Sequence, residues 1–317
     1  MQAPTPDTPS SQRRPRTAHN PAPAPAPKPA ARPAPRTAAA YPEIPRRKPA
    51  FDFDPDKVPL DYYAGDPIQS LVMTALSNVF PEGERFFVDS VMHYKSEIDK
   101  DPALAAAVKG FAAQEGMHSR AHAAFNAMAR AQGLEVAADL ERKVKFLLRV
   151  RPREAPPEAR LAVTCALEHF TAILAEQLLT DADHRERLHP AVRDLWVWHA
   201  LEESEHKAVA FDVFQRVSGS YLIRARVMVV ATLFFIGFTT YSHARMCKSR
   251  GLLGDLRGHL RNIDYLWGRR GLFRKLIPAY LDYFRRDFHP DDRDTTALLA
   301  AWKDRLFGPE GTLPLAA

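Results

Sequence analysis

Two short segments, residues 115–118 and 203–206, each read Glu-x-x-His, and they constrain this chain more than any other feature. Three residues is nearly one helical turn, so in each segment a carboxylate and an imidazole leave the same helix face. That is a metal-ligand pattern. A single copy arises by accident on many solvated helices. Two copies, each on an otherwise apolar stripe and each preceded by a helix with its own inward Glu, predict helices folded around a shared set of ionisable groups.

Helical periodicity begins near Asp66 and persists, with almost no period-two alternation and with Gly mostly at helix ends. The pattern predicts a helix over 68–95 with a kink or restart near Pro81, where proline removes a backbone donor. Further helices are predicted over 102–130, stopped by Gly133, then 158–180, then 190–217, ended by Gly219. Long helices joined antiparallel are the parts of a four-helix bundle. A single helical domain over 56–317 is expected, with the bundle at 66–218 and additional C-terminal helices at 220–307.

Heptad register carries the site. On the second helix the inward positions are Leu104, Val108, Phe111, Glu115, His118, His122 and Phe125. The third helix gives Leu161, Cys165, Glu168, Ala172, Ala175 and Leu179; the fourth gives Val192, Trp196, His199, Glu203, His206, Ala210 and Val213. On the first helix, Glu84 shares a face with Phe87, Val88 and Val91. Lone buried carboxylates are costly and take up protons unless paired, so several inward Glu and His at one depth call for a cation. One Glu from each of two helices and Glu-x-x-His from each of the other two is the ferritin-like dinuclear carboxylate layout. Glu84, Glu115, His118, Glu168, Glu203 and His206 are the expected catalytic ligands, holding two metal ions, iron first and manganese as the alternative. Glu202, four residues before His206, competes with Glu203; the repeated three-residue spacing favours Glu203. His199 is a candidate third imidazole ligand and His122 a weaker one. Gln114 can fix a ligand by hydrogen bonding, while His169, Glu176 and Glu205 fall off the seam.

The formal charge of +6 raises nucleic-acid binding until its location is considered. Residues 1–50 hold nine Lys/Arg against Asp7 and Glu43, and the rest of the chain holds 35 basic and 36 acidic residues. The body is therefore near neutral and no nucleic-acid partner is expected. Fourteen of the 27 prolines also precede residue 51, so a disordered Pro/Ala/Arg-rich tail is predicted over 1–55. Cys165 and Cys247 have no zinc-site neighbours, and no apolar signal segment opens the chain. A cytoplasmic location is expected.

The most apolar run, 227–242, is sixteen uncharged residues between Arg226 and Arg245, short of the roughly 20 that span a bilayer. It reads as a buried helix packed across the bundle, with a homodimer interface or a peripheral membrane contact as alternatives. The segments 258–267, 273–288 and 295–307 read as amphipathic helices explained by packing and snorkelling.

With these residues in view, the chain resembles the bacterial family of predicted metal-dependent hydrolases. The resemblance is carried by Phe-Pro-Glu-Gly-Glu-Arg-Phe-Phe at 80–87, Gln-Glu-Gly-Met-His-Ser-Arg-Ala-His at 114–122 and Trp-His-Ala-Leu-Glu-Glu-Ser-Glu-His-Lys at 198–207. It spans roughly 55–305. The ligand layout is also similar to that of dinuclear iron arylamine N-oxygenases, in which a third His precedes the second-half Glu by four, the place of His199. The resemblance implies either hydrolysis by metal-activated water or oxygen transfer. Phe and Trp around the seam favour oxygen chemistry on a small apolar or aromatic substrate, with metal-dependent hydrolysis as the alternative and metal storage as a third class. No Gly-rich nucleotide motif is present, so an oxygenase would draw on an external electron donor.

Overall fold

Prolines and short polar caps fix where the long helices begin. Asp66 and Asp101 accept hydrogen bonds from backbone N–H groups two and three residues on, and Pro67 and Pro102 follow them at the first helical position. Pro157 and Pro190 open two further helices in the same way, where a missing N–H costs nothing. A computed structural model describes residues 41–150, 154–269 and 271–315, all within the unit Arg32–Ala317. Among the described residues the helices are α1 (Pro67–Ser77), α2 (Phe80–Met92), α3 (Lys95–Ile98), α4 (Pro102–Ala131), α5 (Val136–Lys145), α6 (Pro157–Thr180) and α7 (Ala182–Glu186). They continue with α8 (Pro190–His206), α9 (Val209–Val217), α10 (Tyr221–Ser249), α11 (Leu256–Trp267), α12 (Leu272–Asp282) and α13 (Thr296–Phe307). Among the described residues only two isolated β-bridges occur beside them, and the fold is all-α.

α2 packs along α4 and α6 along α8; α2 also meets α6, and α4 meets α8. The four therefore share one interior. Above the ionisable layer sits an apolar cluster with Phe86, Phe111, Leu161 and Val213, and below it one with Phe125, Leu178, Val192 and Trp198. Each fully buried Phe or Leu stabilises by roughly 1.5–3 kcal/mol, enough to hold a polar layer between them.

The restart expected near Pro81 is there: the first helix is two helices, broken at Asn78 and Val79, with Pro81 in the first turn of α2. Two expectations change. The fourth also divides: α8 stops at His206 and α9 begins at Val209, although neither proline nor glycine intervenes. At that break the Lys207 ammonium donates to the Arg293 carbonyl at 2.6 Å. Helix α10 is not a buried crossing helix. By length and composition it could cross a membrane, and only 17% of its most apolar window is buried in the protein.

The proline-rich tail was expected to run to residue 55. Residues 1–40 lie outside the described residues, but 41–55 pack onto the body. Phe51 stacks on Phe53 and lies against Trp198, and Phe53 meets Phe125 edge-on. Arg47 is buried, and a Cβ at Gly110 of α4 would stand 2.6 Å from Ile44, so the arm crosses α4 where only Gly fits. Composition misled here because the arm's few aromatic residues reach pockets that a proline count does not reveal.

Candidate metal centre

Helix register does bring the expected residues together. Glu84 on α2, Glu115 and His118 on α4, Glu168 on α6, and His199, Glu203 and His206 on α8 are all at most 3% exposed. Among the described residues three overlapping sets hold ligand atoms within 4.8 Å of one another: Glu84, His118, His199; Glu115, His118, Glu203; and Glu115, Glu168, His206. All seven side chains thus belong to one contiguous cluster. Glu202 is buried as well, but its position differs from that of Glu203. Its carboxylate lies 3.0 Å from His118 Nε2 on the outer side of that ring.

Each imidazole is held from behind. His118 Nε2 meets Glu202 at 3.0 Å, which turns Nδ1 towards Glu203 at 3.4 Å and Glu115 at 4.0 Å. His206 Nδ1 meets the Gln114 side-chain oxygen at 2.8 Å, which turns Nε2 towards Glu115, Glu203 and Glu168 at 3.2, 3.6 and 3.7 Å. For His199 the support is a longer chain. The Ser77 hydroxyl donates to Asn126 at 2.7 Å and accepts from His122 Nδ1 at 2.8 Å. His122 Nε2 then meets His199 Nδ1 at 2.6 Å, which directs His199 Nε2 at Glu203 and Glu84, 2.9 and 3.8 Å away. Both nitrogens of His122 are consumed in this chain.

A further network backs the first. Arg47 donates to Glu202 at 3.0 Å and to both oxygens of Glu205 at 2.7 and 2.8 Å, and Gln114 donates to Glu205 at 2.8 Å and to the Pro45 carbonyl at 3.0 Å. The arm 41–55 is therefore tied to the residues that orient His118 and His206. Register gave Gln114 as a hydrogen-bonding partner, and it holds that place. Glu205, off the seam as expected, is buried in this network, and His169 is also buried, bonded to the Ala279 carbonyl at 3.0 Å. Arg47 was missed; its only signal was a position in a basic, proline-rich stretch. Glu176 pairs with Arg293 at 2.6 Å, away from the cluster.

Whether a cation fits is decided by the atoms left over. Both oxygens of Glu84, Glu115 and Glu168, one of Glu203, and the inward nitrogens His118 Nδ1 and His206 Nε2 are buried without hydrogen-bond partners. Native interiors leave only a few such groups per hundred residues, and here nine of them fall within one cluster. Burial, reinforced by the neighbouring carboxylates, raises Glu84 and Glu168 well above the usual range, and burial together with Glu203 raises Glu115. Burial opposes ionisation of Glu203 too, but His206, His118 and His199 outweigh it and hold that carboxyl well below the usual range. Burial likewise opposes charge on His118, yet Glu202 and Glu203 lift it to about 9. Burial and the nearby His118 push His199 down to about 4. Carboxylates this close and this dry cannot all ionise alone; a cation among them removes the conflict.

An apolar cavity of about 120 Å³ adjoins the cluster. Phe80, Phe87, Phe170 and Trp196 help to line it, and His199 and Glu203 open onto it. The Phe80 ring lies 4.6 Å from both His122 and His199, shielding that side from solvent.

No individually curated protein and no solved structure matches the chain. A family model described as predicted metal-dependent hydrolase matches residues 45–294, a stretch that contains every member of the cluster and its Arg47 clamp. By that match and by its buried carboxylate–imidazole centre, the chain belongs to the family of predicted metal-dependent hydrolases.

Proposed function

We propose that this protein is a metal-dependent hydrolase with a dinuclear centre of ferritin-like layout, acting on a small apolar or aromatic substrate. The observation that carries the reading is the set of partnerless buried ligand atoms, contributed by four helices and aimed at one interior. Glu84, Glu115, His118, Glu168, His199, Glu203 and His206 would hold the ions, with Glu202, Gln114 and His122 fixing the three imidazoles. Ions at such a site act as Lewis acids, lowering the pKa of water and polarising a carbonyl or phosphoryl group.

The chain's own residues supply the remainder. Glu203, held ionised by His206, His118 and His199, places a negative charge at the boundary between cluster and substrate space. The aromatic walls exclude bulk water and favour apolar groups, so the water that reacts is one held at the cluster. The hydrogen bonds to Glu202, Gln114 and His122 hold the three imidazoles with their inward nitrogens facing the place the ions would take.

Oxygen transfer by iron with an external electron donor is the second reading, and the apolar cavity at His199 and Glu203 favours it. The two separate cleanly. Protein loaded with Zn or Mn under anaerobic conditions is expected to hydrolyse members of a panel of chromogenic carboxylic and phosphate esters. Turnover that appears only with Fe(II), oxygen and a reductant would overturn hydrolysis in favour of oxygen transfer.

A further inference from the structure

Of the seventeen large apolar side chains exposed among the described residues, fourteen lie between residues 222 and 281. On α11 they form a regular stripe. Leu256, Leu260, Ile263 and Trp267 follow one another at steps of four, three and four, and are 46% to 70% exposed. The inward side of the same helix is Gly258, Asn262 and Leu266. Val229, Val230, Leu233 and Phe234 extend the exposed surface on α10, and Ile277 and Leu281 on α12. Thr232 of α10 hydrogen-bonds Tyr280 of α12 at 2.9 Å, and α11 packs on α12, so the three helices adjoin.

Charge selects the occupant. Residues 221–281 contain eleven Lys/Arg against two acidic residues, although the body as a whole is near neutral. Asp61, Asp66 and Asp181 pair with Arg250, Arg261 and Lys275. Among the described residues Arg226, Lys248, Arg257, Arg269 and Arg274 make no ion pair, and all five are exposed. Two copies of this chain meeting through such a face would bring like charges together. An anionic lipid surface complements both its apolar stripe and its basic border. Helix α10 is long and apolar enough to cross a bilayer, but it lies packed along α6 and α1, which favours contact in the plane of a surface over crossing it. Its other side is fastened to the protein, with Arg224 donating to the Tyr283 and Arg285 carbonyls and His243 to the Ile68 carbonyl.

A second observation points to lipid. Phe234 is 44% exposed and also lines the cavity that reaches His199 and Glu203, and Leu266 of α11 and Phe273 of α12 line it as well. We propose that the exposed face of α10, α11 and α12 docks on an anionic phospholipid bilayer, lying in the headgroup region with the cavity mouth at Phe234 turned to the lipid. The docking depends neither on metal nor on the reaction.

The test is flotation of the full-length protein with vesicles of phosphatidylcholine alone or mixed equally with phosphatidylglycerol. Binding is expected to the anionic vesicles and to weaken with salt. Leu260→Asp combined with Ile263→Asp, two exposed positions where the fold tolerates change, is expected to weaken binding by about tenfold or more. Met92→Asp, exposed but outside the face, should leave it unchanged. Trp267 is a built-in reporter, because Trp196, Trp198 and Trp302 are at most 8% exposed. Its emission should shift to the blue on anionic vesicles and lose that shift in Trp267→Phe while flotation persists. Absence of flotation, or equal flotation of the double variant, overturns the proposal. A vesicle-free dimer that the double variant dissociates would do the same, assigning the face to a second copy.

Discussion

At the scale of single residues, the unusual feature is how completely the second nitrogen of each histidine is accounted for. Gln114 links three things at once: the Nδ1 of His206, the carboxylate of Glu205 and the Pro45 carbonyl of the arm. Gln114→Leu keeps the volume but leaves His206 Nδ1 without an acceptor. Metal affinity is expected to fall about 10–100-fold, as it does when such outer hydrogen bonds are lost, with secondary structure retained. Competition with a chromophoric chelator reads the change directly, and an unaltered affinity would show that His206 needs no such support. The seven clustered residues were legible because helical register is a local rule, and it places Glu84, Glu115, Glu168 and Glu203 at one depth. The roles of Glu202, Ser77 and Asn126 were not. Glu202 holds His118 from behind across 84 residues, and Ser77 reaches His122 and Asn126 across 45 and 49, pairings no local spacing encodes.

At the scale of elements, the strongest periodic segments were read well and the irregular ones poorly. α4 and α6 fall within a residue of expectation because their caps, Asp101 and the Pro156–Pro157 pair, are strong local signals. The arm was misread because its order comes from Arg47 meeting Glu202 and Glu205, more than 150 residues away. α10 was misread because an apolar run looks the same whether protein or another surface covers it. Two buried histidines outside the cluster make the attachment of neighbouring elements sensitive to pH. His169 on α6 bonds the Ala279 carbonyl of α12, and His184 on α7 meets the Tyr63 hydroxyl at 2.6 Å. Burial pushes both down to about 4. Their folded-state values lie below the unfolded value of roughly 6.5, so their contribution is fully present above pH 6.5 and is lost as pH falls towards 4. The loss is on the order of 3 kcal/mol per histidine at most. Urea unfolding of His169→Asn is expected to show a shallower fall between pH 6.5 and 4 than the parent. An identical slope would mean that His169 takes up its proton without unfolding.

At the scale of the whole molecule, two apolar clusters clamp a polar layer, an arm closes one side of it, and a narrow cavity joins it to an exposed basic and apolar face. The helical class and the position of the centre were visible in the sequence, since both follow from period and spacing. The exposure of α10 and α11 was not, since it depends on what the remaining helices leave uncovered. Everything proposed about reaction rests on metal at the centre. The most direct measurement is the metal content of full-length protein purified after growth with iron, manganese and zinc supplied. About two ions per chain are expected. They should fall below one in the near-isosteric Glu115→Gln, since Glu115 belongs to two of the three ligand sets. Protein free of metal, or a Glu115→Gln variant with undiminished metal content, would contradict the dinuclear centre.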